Sequence, residues 1–361
     1  MADLPITKLM WLATLGIFDI TVRGGLWECY KHDYSNGVAM EDSRCAQRIY
    51  FGEIALSLPF NPPKEEVNPN DLSFLFLGNS LSGYNHLDEM VLALFREQGG
   101  KGLNGHANTY NPPGEDFISH LDIANGKIGN YVWNGFGPTL KNWLKPDDEK
   151  KEDKDKKYWK WFIWQNSSLQ PSYWDSPKSE KQEEFIQSAM AANTLNQKMA
   201  TNFPDSNTLL MLTWAPKGPT SEAPDYEGYL VTQERINEGY RVYRATTSTR
   251  ERPTYIAPVG LVYQAIYEDD VQAGILDPTN PASGGLFSKL YEDNFGHTTL
   301  MGSYIQALTV YASISGSDVR TITYQPPTDI LPQDLVSMAR ERVQRTIDET
   351  AADGSVQYVW Q

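Results

Sequence analysis

The stretch "SFLFLGNSLSGYNHLDEMVLALF", residues 73–95, limits the fold more than any other part of this chain. Phe74 to Leu77 form an apolar run without polar interruption, which reads as a buried strand. The run stops at Gly78-Asn79-Ser80, and a helical pattern follows with Leu87, Met90, Val91, Leu94 and Phe95 on one face. Strand, tight turn and helix make the unit from which open α/β sheets are built.

The unit recurs along the chain. "YWKWFIWQNSSLQPSYW" is a second buried strand emptying into a polar loop, and a helix carrying Phe185, Ile186, Met190 and Leu195 is expected at about residues 179–202. "NTLLMLTWAP" is a third strong strand, and "TYIAPVGLVYQAIY" is a short strand running into a helix. "GHANTYNPPGEDFISHLD" supplies a further strand and loop. The closing unit, "LYEDNFGHTTLMGSYIQALTVYASISG", is a loop before a helix with Leu300, Tyr304, Ala307, Leu308 and Tyr311 on one stripe. Polar residues gather beyond the C-terminal ends of the strands, the edge at which open parallel sheets bind ligands.

Residues 1–70 read as an N-terminal extension that ends in the proline-rich loop "LPFNPPKEEVNPND", and residues 71–361 as the main domain. Within that domain "KPDDEKKEDKDKK", residues 145–157, carries six positive and six negative residues and reads as a solvated insertion. No apolar run reaches the eighteen or so residues of a membrane span. "KLMWLATLGIF", residues 8–18, reads either as the core of a signal peptide, which tilts the expectation slightly towards secretion, or as an element packing on the domain. Cys29 and Cys45 both lie in the extension; they pair only if the chain is exported, and they are too few for a cysteine zinc site. A net charge of -15 and a pI near 4.8 argue against nucleic acid and anionic membranes as partners. A neutral or cationic small molecule is the easier partner.

Acyl transfer by a serine requires a base, a group to orient that base and donors for the oxyanion. Ser80 alone reads first as a turn or helix-capping residue. The chain has five histidines: His32 in the extension, His86 at a helix start, His106 and His120 flanking the second loop, and His297. His297, in "EDNFGHTTLMGSY", has carboxylates just before it and a helix just after, with Thr298 or Thr299 positioned to cap that helix. His120 reads as a core residue, and Asn79 as a local support of the turn.

Taken in order, "FLFLGNSLSGYN", "WFIWQNSSLQPS", "LLMLTWA", "YIAPVG" and "LYEDNFGHTTLMGSYIQAL" resemble the blocks of the SGNH (GDSL-like) hydrolase superfamily, in its "GNS" esterase-like branch. The resemblance covers roughly residues 72–350 and implies a three-layer α/β/α sandwich with a central parallel sheet. It implies a serine hydrolase acting on esters without metal or organic cofactor. Ser80 then corresponds to the nucleophile and His297 to the base. The backbone N–H groups of Ser80 and Gly114 correspond to two oxyanion donors.

Two departures leave alternatives open. The superfamily acid usually stands three residues before the histidine, where this chain has Asn294; Asp293, one residue further away, is the preferred orienter of the base, with Asn294 as the alternative. The third block lacks the usual Gly-x-Asn, so the remaining oxyanion donor could be Gln165, Asn166 or Ser167, with the branch pattern favouring Gln165. Tyr173 and Trp174, beyond the third strand, are candidate substrate contacts. The expected substrate is a small-molecule or carbohydrate ester, an acetylated carbohydrate first. A carbohydrate-binding protein without activity and an acyltransferase using the same residues are the competing readings.

Overall fold

The computed structural model describes residues 72–99, 105–127, 136–145, 159–167, 169–219, 226–278, 284–326 and 331–361. The extension, both cysteines, residues 8–18 and the charged run beyond Lys145 lie outside the described residues.

Five strands, β1 (Ser73–Leu77), β2 (His106–Tyr110), β3 (Trp161–Trp164), β4 (Asn207–Met211) and β5 (Thr254–Ala257), form one sheet in the order β2-β1-β3-β4-β5. Every pairing is parallel. The register sets Leu77 level with Tyr110 on one side and Trp164 on the other, so the loops after β1, β2 and β3 leave the sheet together.

The helices are α1 (Ser80–Gly83), α2 (Leu87–Gly99), α3 (Phe117–Ala124), α4 (Phe136–Trp143), α5 (Ser179–Asn202), α6 (Tyr229–Thr247), α7 (Val259–Gln272), α8 (Leu300–Ser315) and α9 (Gln333–Ala352). Helices α2 and α8 pack together, α9 and α7 join α8, and α5 packs against α3 and α6. The result is the α/β/α sandwich expected from the blocks.

Consecutive strand residues are buried because both sheet faces are covered. Phe74, Leu75 and Phe76 are at most 1% exposed, and so are all four residues of β3. Each such side chain contributes roughly 1.5–3 kcal/mol of transfer free energy. Strand β2 lies at the edge, is half-exposed, and is correspondingly polar. Helix α8 departs from its one-stripe pattern: it is buried all round from Met301 to Ile314, because α2, α7 and α9 enclose it.

The loop after β3 folds into a 3-10 helix, Gln170–Asp175, laid along α6. Gly239 on α6 permits this approach, since a Cβ there would stand 2.0 Å from the carbonyl oxygen of Pro171. Gly239→Ala is therefore expected to cost about 1–3 kcal/mol by overpacking. A lowered urea midpoint measures it, and an unchanged midpoint contradicts the close approach.

Among the described residues no helix is long and apolar enough to cross a membrane, and no cluster of three or more His, Cys, Asp or Glu residues could hold a metal ion.

Candidate active site

Each residue of Gly78-Asn79-Ser80 has a distinct physical task. Gly78 is required by packing, because a Cβ there would meet Ser82 Oγ at 2.3 Å and Gln165 Oε1 at 2.6 Å. Asn79 caps α1, its Oδ1 accepting from Leu81 N at 3.0 Å. Its Nδ2 also donates to the carbonyl of Glu115 at 2.9 Å, tying the β2 loop to the turn. Asn79 thus reaches well beyond its own turn. Ser80 follows as the first residue of α1 and stays partly exposed.

Ser80 Oγ lies 2.9 Å from His297 Nε2, a contact between residues 217 apart in sequence. On the far side of the imidazole, Nδ1 lies 2.5 Å from Asp293 Oδ2. The other carboxylate oxygen, Oδ1, accepts from the backbone N–H groups of Phe295, Gly296 and His297 at 2.9–3.1 Å. One carboxylate therefore shapes the loop and faces the ring. Partial burial alone would raise the Asp293 pKa, but the bonds from the His297 ring and from the backbone outweigh it and hold the carboxyl below the usual carboxylate range. Asn294, in the position where the acid usually stands, is exposed.

The loop that carries His297 is braced from several sides. Tyr291 and Thr298 form an antiparallel bridge, and Glu292 N donates to His297 O at 2.9 Å. Gly296 has φ of 113°, and its carbonyl accepts from Trp214 Nε1 at 2.9 Å. Only glycine takes that backbone conformation without strain. Thr299 is the N-cap of α8, accepting from Gly302 N at 3.2 Å. Thr298 instead faces inward, its Oγ1 within 3.1 Å of Ser303 Oγ and Gln306 Nε2.

Sequence reasoning overlooked the link between α1 and α2. Tyr84 stacks on the His297 ring with centroids 4.8 Å apart and planes 17° apart. Asn85 Nδ2 donates to the Thr298 carbonyl at 3.0 Å and to Ser303 Oγ at 2.9 Å. Asn85 and His86 have φ of 56° and 55°, a left-handed conformation that is unusual outside glycine, though asparagine tolerates it best. No local signal announces these contacts, since their partners lie more than two hundred residues away.

The third-block amides do not line the exposed site. Gln165 is 1% exposed; its Oε1 accepts from Asn79 N at 3.1 Å and Ser82 Oγ at 3.0 Å, and its Nε2 donates to the Asn166 carbonyl. Asn166 is fully buried, with Nδ2 bonded to Gln170, Ser188 and Tyr243. A short apolar strand feeding straight into the core takes both side chains inward, where their amides are used by the fold. Gly114 is exposed, with φ of 76°, in the loop that Asn79 tethers beside Ser80. Among the described residues the N–H groups of Ser80 and Gly114 donate to no protein acceptor. Tyr173 and Trp174 are half-buried on the 3-10 helix, where Lys181 lies over the Tyr173 ring and Gln182 bonds the Trp174 carbonyl. These contacts run to α5 rather than to the Ser80–His297 pair. His120 is fully buried against Tyr110, and burial pushes its pKa down to about 4, so it is neutral at ordinary pH.

A serine just beyond β1, facing a histidine from the loop before α8, sits at the C-terminal edge of the parallel sheet of a three-layer α/β/α sandwich. The chain is similar in structure to a DUF4886 family protein from Bacteroides uniformis, with a TM-score of 0.53, 14% identity, and 76% of this chain and 94% of that chain covered. A GDSL-like lipase from Parabacteroides merdae aligns with a TM-score of 0.42 at 12% identity, over 68% of this chain and 96% of the other. An acetyl-xylooligosaccharide esterase mutant from Geobacillus aligns with a TM-score of 0.37 at 9% identity, over 72% and 97%. No protein-family model and no curated protein matches the chain.

Proposed function

We propose that this protein is a serine esterase in which Ser80 is the nucleophile, His297 the general base and Asp293 the group that orients it. The observation that carries the reading is the continuous relay from Ser80 Oγ through His297 to Asp293, at 2.9 and 2.5 Å. His297 Nε2 takes the hydroxyl proton as Ser80 attacks the ester carbonyl. Asp293, bonded to Nδ1–H, holds the tautomer that leaves Nε2 free and stabilises the imidazolium that forms. The negative charge on the tetrahedral intermediate goes to the N–H groups of Ser80 and Gly114. The imidazolium then protonates the departing alkoxide, and water repeats the sequence to release the acid and regenerate Ser80.

The third donor expected from the resemblance is not assigned to Gln165 or Asn166, whose amides are buried in other bonds. Acetylated carbohydrate is the substrate class to test first, resting on the resemblance.

The test is covalent labelling by a fluorophosphonate followed by peptide mapping. The expected result is one adduct per chain, on the Ser80 peptide, with p-nitrophenyl acetate hydrolysis lost in parallel. Absence of labelling in a chain that binds glycans would favour the non-catalytic reading instead.

A further inference from the structure

We infer that Tyr84 and Asn85 are positioning residues that clamp the base from the nucleophile side. The inference rests on the esterase reading above and adds to it a second support for His297, independent of Asp293.

Three observations converge on it. Tyr84 covers one face of the imidazole in a near-parallel stack at 4.8 Å. Asn85 ties down the carbonyl of Thr298, the residue next to His297, and at the same time Ser303 on α8. The two side chains come from adjacent positions of a turn that enters the left-handed region twice, at Asn85 and His86. Backbone strain of this kind persists where surrounding contacts over-determine it, and it concentrates at functional sites. Here the contacts are those with the His297 loop. The turn directly follows α1, so one short segment carries the nucleophile and grips the base that must reach it.

The two residues act differently on the reaction. Asp293 fixes the imidazole in its own plane through one hydrogen bond, which leaves the ring able to tilt about that bond. The Tyr84 face opposes the tilt. When His297 becomes cationic in the transition state, that face also offers a favourable cation–π contact absent from the neutral resting state. Asn85 fixes the height of the loop relative to Ser80. Losing either should lower the rate of the chemical step more than substrate binding.

The experiment uses the full chain and the variants Tyr84→Phe, Tyr84→Leu and Asn85→Gly. Glycine accepts the left-handed conformation, so Asn85→Gly removes the amide without adding strain. Steady-state hydrolysis of p-nitrophenyl acetate is read alongside melting temperature and the NMR signal of the His297 Nδ1 proton. Tyr84→Phe should keep kcat within about twofold, whereas Tyr84→Leu and Asn85→Gly should each lower kcat by about tenfold or more with KM within about twofold. In those two the Nδ1 proton signal should broaden through faster exchange. Full kcat and an unchanged signal in both would overturn the clamp, as would a kcat loss matched by unfolding. If the parent chain itself proves inert, the esterase reading fails. The clamp is then judged on the Nδ1 signal alone, which an inert chain still reports.

Discussion

Ser80→Ala is expected to lower kcat/KM for p-nitrophenyl acetate by about a thousandfold or more, while leaving the fold intact. The size follows from the position of Ser80. Its Oγ is the group held 2.9 Å from His297 Nε2, and without it the base has no alcohol to activate. The fold should tolerate the change because Ser80 is not the cap of α1; that role belongs to Asn79. Alanine is a good helix former at a first-turn position. Circular dichroism and the urea midpoint should match the parent, and the fluorophosphonate adduct should vanish. A variant that retains the parent rate would remove Ser80 from the mechanism, whatever else the site does.

The second large effect is expected from Asp293→Asn, at about a hundredfold to ten-thousandfold in kcat. Asparagine is nearly isosteric, and its Oδ1 can still accept from the N–H groups of Phe295, Gly296 and His297. The loop should therefore keep its shape. What changes is the atom facing His297 Nδ1: an amide N–H replaces a carboxylate oxygen. The ring must then accept at Nδ1 and carry its proton on Nε2, where it can no longer take one from Ser80. Asn294→Ala is the control, because Asn294 is exposed and outside the relay. It should leave kcat/KM within about twofold. Equal losses in both variants would mean that the loop responds as a unit and that Asp293 has no special part in orienting the base.

Much of the architecture was legible in the chain because its signals are local. The uninterrupted Phe74–Leu77 and Trp161–Trp164 runs mark strands covered on both faces, and the helix expected near residues 179–202 spans Ser179–Asn202. The polar "HANTY" of β2 fits its place at the sheet edge. The preference for Asp293 over Asn294 had no local signal behind it, since the geometry depends on the loop at Gly296, which has φ of 113° and accepts from Trp214. That loop brings a residue four positions before the histidine round to its ring. Gln165 and Asn166 show the reverse case. A polar residue beyond a strand looks available from sequence, yet these two turn inward and their amides hold the turn around Ser80 and the core.

By itself, then, the sequence determined the alternation of buried strands and helices, the class of sheet, and the short set of residues able to do acid–base chemistry. Those are matters of hydrophobic periodicity and side-chain type, which act over a few residues. Only the tertiary structure decided that the Asp293 carboxylate rather than Asn294 meets His297, that the third-block amides face the core, and that Tyr84 and Asn85 contact His297 and the residue after it. Each of these depends on hydrogen bonds and ring contacts whose direction is set by packing or by one bend of the backbone, and spacing along the chain does not encode it.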